Sequence, residues 1–292
     1  MRANKQITAL LHLVDDPDLE VFDTVASQLL SYGKQIIPNL EQLWEVTEDE
    51  AVQHRIEVLI HRALFTELQH EFAAWSKEDK PSLLQGAILL AKYRYPELNA
   101  KLIRTQFEQM RRNIWLELNH YLTPLEQINV INSILYNYYK LQGHEITERR
   151  PDYFFINYLL ESKHGNAFSI GILFLSLCEL LDVPVQAVPL PRQFVMAYFD
   201  SLYHFLSPDE DPIQQIQFYI DPVNGMVYTQ NDVDVYLKKI NAGESEQYFE
   251  PMDNREIICR MIGELSLSYD YTNEPDKAEE LKQLIMVIKK VP

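Results

Sequence analysis

Residues 161–185 read ESKHGNAFSIGILFLSLCELLDVPV, a polar turn around Gly165 that runs into an apolar helix and stops at Pro184. Two further stretches follow, VPLPRQFVMAYFD at 188–200 and QFYIDPVNG at 217–225. Ile170, Leu173, Phe174, Leu177, Cys178 and Leu181 recur at helical spacing, so this stripe is expected to face a core. After Pro184 the pattern changes to that of strands. The runs 185–190 and 194–200 are β-rich, with Pro189 and Pro191 marking the turn between them or an edge. Residues 201–213 read as an acidic loop at a hairpin tip, 214–220 as the return strand, and Asp221-Pro222-Val223-Asn224-Gly225 as turn chemistry. The expected unit is a helix lying against an antiparallel sheet.

Three motifs stand in that order: Glu161-Ser162-Lys163-His164-Gly165-Asn166-Ala167, Leu190-Pro191-Arg192-Gln193-Phe194 and Asp221-Pro222-Val223-Asn224-Gly225. They resemble the transglutaminase-like superfamily, built on a papain-like core, and within it a branch that lacks the nucleophilic Cys and carries an N-terminal helical segment. In the superfamily a Cys opens the helix two residues after the Gly, a His follows on the first strand and an Asp on the second. The resemblance therefore implies that Ala167 stands in the Cys slot, Gln193 in the His slot and Asp221 in the Asp slot. It also implies a binding role, without catalysis, for Glu161, Lys163, Gly165, Asn166, Gln193, Asp221 and Asn224.

In such a triad an imidazole activates a thiolate, and a carboxylate or amide orients the imidazole. Ala167 offers no nucleophile, and Gln193 cannot carry a proton near neutral pH. Ser169 lies about 200° around the helix from Ala167 and points away from it. Cys178 belongs to the apolar stripe and is expected to pack as a small hydrophobe. His164 beside the turn is either a surface or capping residue or a displaced base. The expectation is a protein without transamidase or thiol-protease activity, acting as a peptide-binding or scaffold module. The alternative is a hydrolase or acyl-transferase with a relocated nucleophile. Glu161 and Lys163 are expected to serve the turn, the first by accepting backbone N–H bonds and the second by pairing with an acid.

The chain has 292 residues and a net charge of −17, and the charge is uneven. Between 151 and 236 only Lys163 and Arg192 stand against eleven acids. A nucleic-acid surface needs the opposite sign, so no nucleic-acid partner is expected. A neutral or basic peptide suits this surface better than an acidic one. Arg104, Arg111 and Arg112, beside Glu108, read as a solvated, ion-paired helix face. No apolar run approaches the ~20 residues of a membrane span and no signal-peptide core follows Met1, so a cytoplasmic protein without membrane association is expected. Cys178 and Cys259 form no CxxC pair, which predicts neither a disulfide framework nor a metal centre, and no cofactor motif is present.

The fold class expected is α+β: a helical, HEAT-like or bundle-like part over 1–100, a transglutaminase-like, papain-type core with antiparallel sheet over 101–238, and a C-terminal, tetratricopeptide-like helical hairpin over 239–292. Asp18 caps the helix that ends at Gly33 after a break at Pro17, and Thr47 with Glu50 suggests a capping box for the long helix beyond. Residues 82–96 and 98–117 read as helices, and Thr123-Pro124-Leu125-Glu126 as a helix start.

Overall fold

A computed structural model describes residues 2–16, 18–200, 212–243 and 245–290. The expected Pro17 break and most of the acidic stretch 201–213 lie outside these residues. The chain divides into two compact units, Met1–Ala74 and Trp75–Pro292. Residues 75–100, grouped with the helical segment in the sequence reading, pack with the second unit.

The first unit holds helices α1 (Arg2–Leu11), α2 (Leu19–Leu30), α3 (Ile37–Val46) and α4 (Glu50–Trp75), the last ending at the boundary. Asp18 caps α2 as expected, its carboxylate accepting from Glu20 N–H at 2.9 Å. Val25, Leu29, Ile36, Leu40, Ile56 and Leu59 bury one apolar core. The start of α4 differs from the expectation. Thr47 donates its hydroxyl to Leu43 C=O at 2.7 Å and closes α3. Asp49 caps α4 instead, accepting from Ala51 and Val52 N–H. An acceptor must stand directly before the first turn to reach its free N–H groups, and Thr47 is two residues too early.

The second unit opens with α5 (Leu83–Arg94), capped by Ser82, and α6 (Ala100–Glu117), capped by Asn99. On α6, Glu108 and Arg111 form the expected ion pair at 2.6 Å. Next comes α7 (Pro124–Asn132), with the capping box between Thr123 and Glu126 in place. A π-helical turn, Ser133–Tyr138, continues α7, and β1 (Gln142–His144), α8 (Ile156–Ser162) and β2 (His164–Asn166) follow. β1 and β2 pair in parallel, Gly143 opposite Gly165.

Helix α9 (Ala167–Leu180) is the centre of this unit. Every residue from Ala167 to Cys178 is buried, because α5, α6 and α8 cover one side and the sheet covers the other. A helix apolar on all faces is stable only when enclosed in this way. Strands β3 (Val185–Val188), β4 (Val195–Phe199), β5 (Ile216–Ile220) and β6 (Val227–Tyr228) form an antiparallel sheet in that order. One face meets α9. The other face buries Val188, Ala197, Phe199 and Tyr219 together with Val233 of α10 (Gln230–Lys239) and Phe249. A helical hairpin of α11 (Asn254–Tyr271) and α12 (Pro275–Lys289) follows, with Ala278, Leu281 and Leu284 buried on α12 and the Ser266 hydroxyl of α11 donating to Ala278 C=O at 3.0 Å. The architecture is α+β, with a helical N-terminal part, an antiparallel sheet against a buried helix, and a C-terminal hairpin.

Candidate functional site

The start of α9 is built from Asn166 and Ser169. The Asn166 side chain accepts from Phe168 and Ser169 N–H at 3.0 and 3.2 Å, and Ser169 Oγ accepts from Asn166 N–H at 3.1 Å. The same hydroxyl donates to Tyr153 C=O at 2.6 Å, so its proton is committed to the backbone. Asn166 Nδ2 is buried and has no partner among the described residues. Gly165 has no room for a side chain, since a methyl group there would meet the Ser169 hydroxyl and Leu159. Ala167, the first residue of the helix, is itself 4% exposed.

The turn before the helix departs from expectation in its partners. Lys163 ends α8 in the left-handed conformation, φ +68°, and its ammonium donates to Leu160 C=O at 2.5 Å rather than to a carboxylate. The Glu161 side chain is exposed and has no hydrogen-bond partner among the described residues. The αL position lets the chain reverse within one residue, and the lysine side chain then closes a carbonyl left open at the helix end.

The sheet carries the other two positions to one end of neighbouring strands, Gln193 just before β4 and Asp221 just after β5, where Met196 pairs with Ile220. Gln193 is exposed. Its side chain lies by the Tyr236 hydroxyl, and its carbonyl accepts from Arg260 at 2.6 Å. Phe194 takes the inward direction. It is 2% exposed, its ring centroid stands 4.6 Å from that of Phe168, and Gly171 of α9 lies directly under its edge. Phe168 and Gly171, three residues apart, share a face of the helix, and Phe194 packs on that face.

Asp221 organises the turn after β5. Its carboxylate accepts from Val223 N–H and its carbonyl accepts from Gly225 N–H, each at 2.8 Å. Gly225 adopts φ +73°, and Asn224 Oδ1 closes the exposed tip by accepting from Met226 N–H at 2.8 Å. Tyr136 donates to Pro222 C=O (2.8 Å) and Asn132 to Gly225 C=O (2.7 Å), which ties the turn to the end of α7. Burial pushes the Asp221 carboxyl above its ordinary value. The Val223 N–H bond works against this, and the nearby Glu145 charge adds to it.

One cluster had no signal in the sequence beyond the presence of His164. His144 Nε2 lies 2.9 Å from His164 Nδ1, and His144 Nδ1 lies 3.2 Å from Glu148 Oε1. The Tyr153 ring stacks on His144 at 4.3 Å, and the Arg150 guanidinium lies 4.5 Å from the centroid of the Tyr153 ring. Parallel pairing of two three-residue strands creates this carboxylate–imidazole–imidazole row. Elements so short leave no periodicity to read. Neither this row nor any other group of three His, Cys, Asp or Glu side chains among the described residues is arranged to hold a metal ion.

Residues 101–263 match the family described as the transglutaminase-like superfamily. The chain belongs to that superfamily. Transglutaminase-like membership agrees with the order of the helix and strands that carry positions 167, 193 and 221. Among curated proteins the chain is similar to UPF0162 protein YchA of Escherichia coli K12, 22% identical over 211 residues, 71% of this chain and 74% of that protein. It is similar to protein SirB1 of Salmonella typhimurium, 21% identical over 189 residues, 64% of this chain and 66% of that one. A UPF0162 protein of Xylella fastidiosa is 24% identical over 231 residues, 76% and 77% of the two chains. No solved structure matches this transglutaminase-like chain.

Proposed function

We propose that this transglutaminase-like protein belongs to the branch without a catalytic Cys and works as a non-catalytic scaffold or peptide-binding module. The observation that carries the reading is the seat of Phe194. Its ring packs on Phe168 and Gly171 of α9, and the Gln193 side chain beside it lies by the Tyr236 hydroxyl. A covalent route needs a nucleophile and a base within hydrogen-bond reach, and here one slot is a methyl group and the other points elsewhere. The remaining candidates support the same reading. Ser169 spends its proton on Tyr153 C=O, and Cys178 is fully buried with its thiol pushed up by desolvation. The packing of Phe194 on α9 favours the scaffold half of the proposal.

The alternative, a relocated acyl-transfer site, draws on the Glu148–His144–His164 row, which has the form of an oriented base. Among the described residues no thiol stands beside it. Two buried cysteines, with burial holding Cys259 up at about 11, fit a reducing compartment, and we place the protein in the cytoplasm.

Amine incorporation and peptide hydrolysis by the purified protein, beside an Ala167→Cys/Gln193→His variant, test the proposal. No turnover by the unmodified protein is expected. Turnover that resists thiol blockers and falls with His144→Phe would favour the relocated site and overturn the proposal.

A further inference from the structure

Strand β3 forms one margin of the sheet. Phe199 N–H donates to Pro184 C=O at 2.8 Å, and the pairing of Val185 with Tyr198 and Gln186 with Ala197 then fixes the alternation. Gln186 and Val188 address β4, while Val185 and Ala187 turn their backbone groups outward. Two of those four groups are used. Val185 N–H donates to Val183 C=O at 2.8 Å, and Ala187 C=O accepts from Met252 N–H at 2.9 Å. Val185 C=O and Ala187 N–H have no hydrogen-bond partner among the described residues. Both residues are buried, and both line a groove of about 600 Å³ between the end of α9, β3 and the start of α11. A free edge with apolar walls beside it is the geometry by which proteins accept an added strand.

The walls name the chemistry of the occupant. Leu175 and Ile257 supply apolar surface, while Asp79, Glu179, Asp182 and Asp253 supply four carboxylates. Only Lys80 and Arg255 oppose them, and Arg255 is already committed. Its guanidinium donates to Ser76 C=O at 2.7 Å and to Glu78 C=O, and lies 3.7 Å from Asp253. The chain as a whole carries −17, a field that draws cations toward such a groove.

We infer that this groove binds an extended basic segment of a partner protein, which adds to the free edge of β3. One residue of an incoming strand parallel to β3 donates its N–H to Val185 C=O and accepts from Ala187 N–H. Its side chain neighbours meet the apolar walls, and lysine or arginine on either side meets the carboxylates. Burial already holds Glu179 above the ordinary carboxylate value, with Lys80 pulling the other way. An added cation there would favour the charged form. The inference is independent of whether the Ala167 region is active, since none of its residues lines this groove.

Fluorescence anisotropy with a labelled hexapeptide of alternating valine and lysine tests it on the full-length protein. Saturable binding is expected, with about tenfold loss when the valine nitrogens are methylated, because each methyl removes a donor and leaves the peptide charge intact. Glu179→Gln/Asp182→Asn should weaken binding about fivefold, an amount typical of losing partly exposed ion pairs. On binding, the Ala187 amide should gain protection from hydrogen exchange. A peptide with glutamate in place of lysine should not bind. No binding at millimolar peptide, equal affinity of the methylated peptide, or an unprotected Ala187 amide would each overturn the inference. Undiminished binding of the glutamate peptide would overturn it as well.

Discussion

His144 and His164 face each other across the parallel pair β1–β2, ring nitrogen to ring nitrogen at 2.9 Å, and so join the loop before α8 to the turn that starts α9. One nitrogen must donate and the other accept, so the contact exists only while at least one ring is neutral. His144→Phe keeps the stack on Tyr153 and removes both imidazole bonds. It should cost about 1–2 kcal/mol in chemical denaturation, at a usual net worth of about 1 kcal/mol for each hydrogen bond lost. A loss beyond about 3 kcal/mol would mean that the pair holds the α9 turn together.

Gly171 lies mid-helix, where alanine would ordinarily stabilise by about 1 kcal/mol. The opposite is expected here. A methyl group at 171 would collide with the edge of Phe194, itself wedged against Phe168, and would touch Pro222 at 3.3 Å. Gly171→Ala should therefore lower stability by about 1–3 kcal/mol, the range for overpacking a filled core. The double variant Gly171→Ala/Phe194→Leu should recover part of that loss in the same melting experiment.

Asp221 gives a pH test. Its folded-state value is raised by burial, so the folded form binds the proton more tightly than the unfolded form. The stability from this group is complete below the unfolded carboxyl value, about 3.9, and is lost as pH rises through the folded one. Asp221→Asn keeps an acceptor for Val223 N–H without the buried charge. It should melt higher than the parent at pH 7 and level with it near pH 3. An equal or lower melting temperature at pH 7 would mean that the carboxylate is held by a cation.

Ser169→Ala removes a hydroxyl that accepts from Asn166 N–H and donates to Tyr153 C=O. Both partners are buried, so the loss should be about 2 kcal/mol, that of leaving buried backbone groups unmade. The variant should show no change in any ligand affinity of the β3 groove, which it does not line.

Much of this architecture was written in local pattern. The apolar stripe along α9 and the Asp-Pro-Val-Asn-Gly turn specify helix and turn with no outside information, while the capping role of Asn166 emerged only in the structure. The directions of Gln193 and Phe194 were not legible. They follow from a turn at Arg192 in the left-handed region, φ +62°, and from the strand alternation that begins after it. Position in a motif says where a residue sits along the chain and leaves open which side of the strand it occupies. The His144–His164 contact was hidden for another reason, since it depends on two short strands twenty residues apart.

The seat of Phe194 also bears on any attempt to install a thiol chemistry. A cysteine at 167 would occupy a position only 4% exposed, where desolvation works against the thiolate. A histidine at 193 would start out beside Tyr236. Turning it inward would require the place that Phe194 holds against Phe168 and Gly171, and trimming that ring would leave a cavity in the middle of the fold. A designed active site would therefore come with a loss of stability in α9 itself.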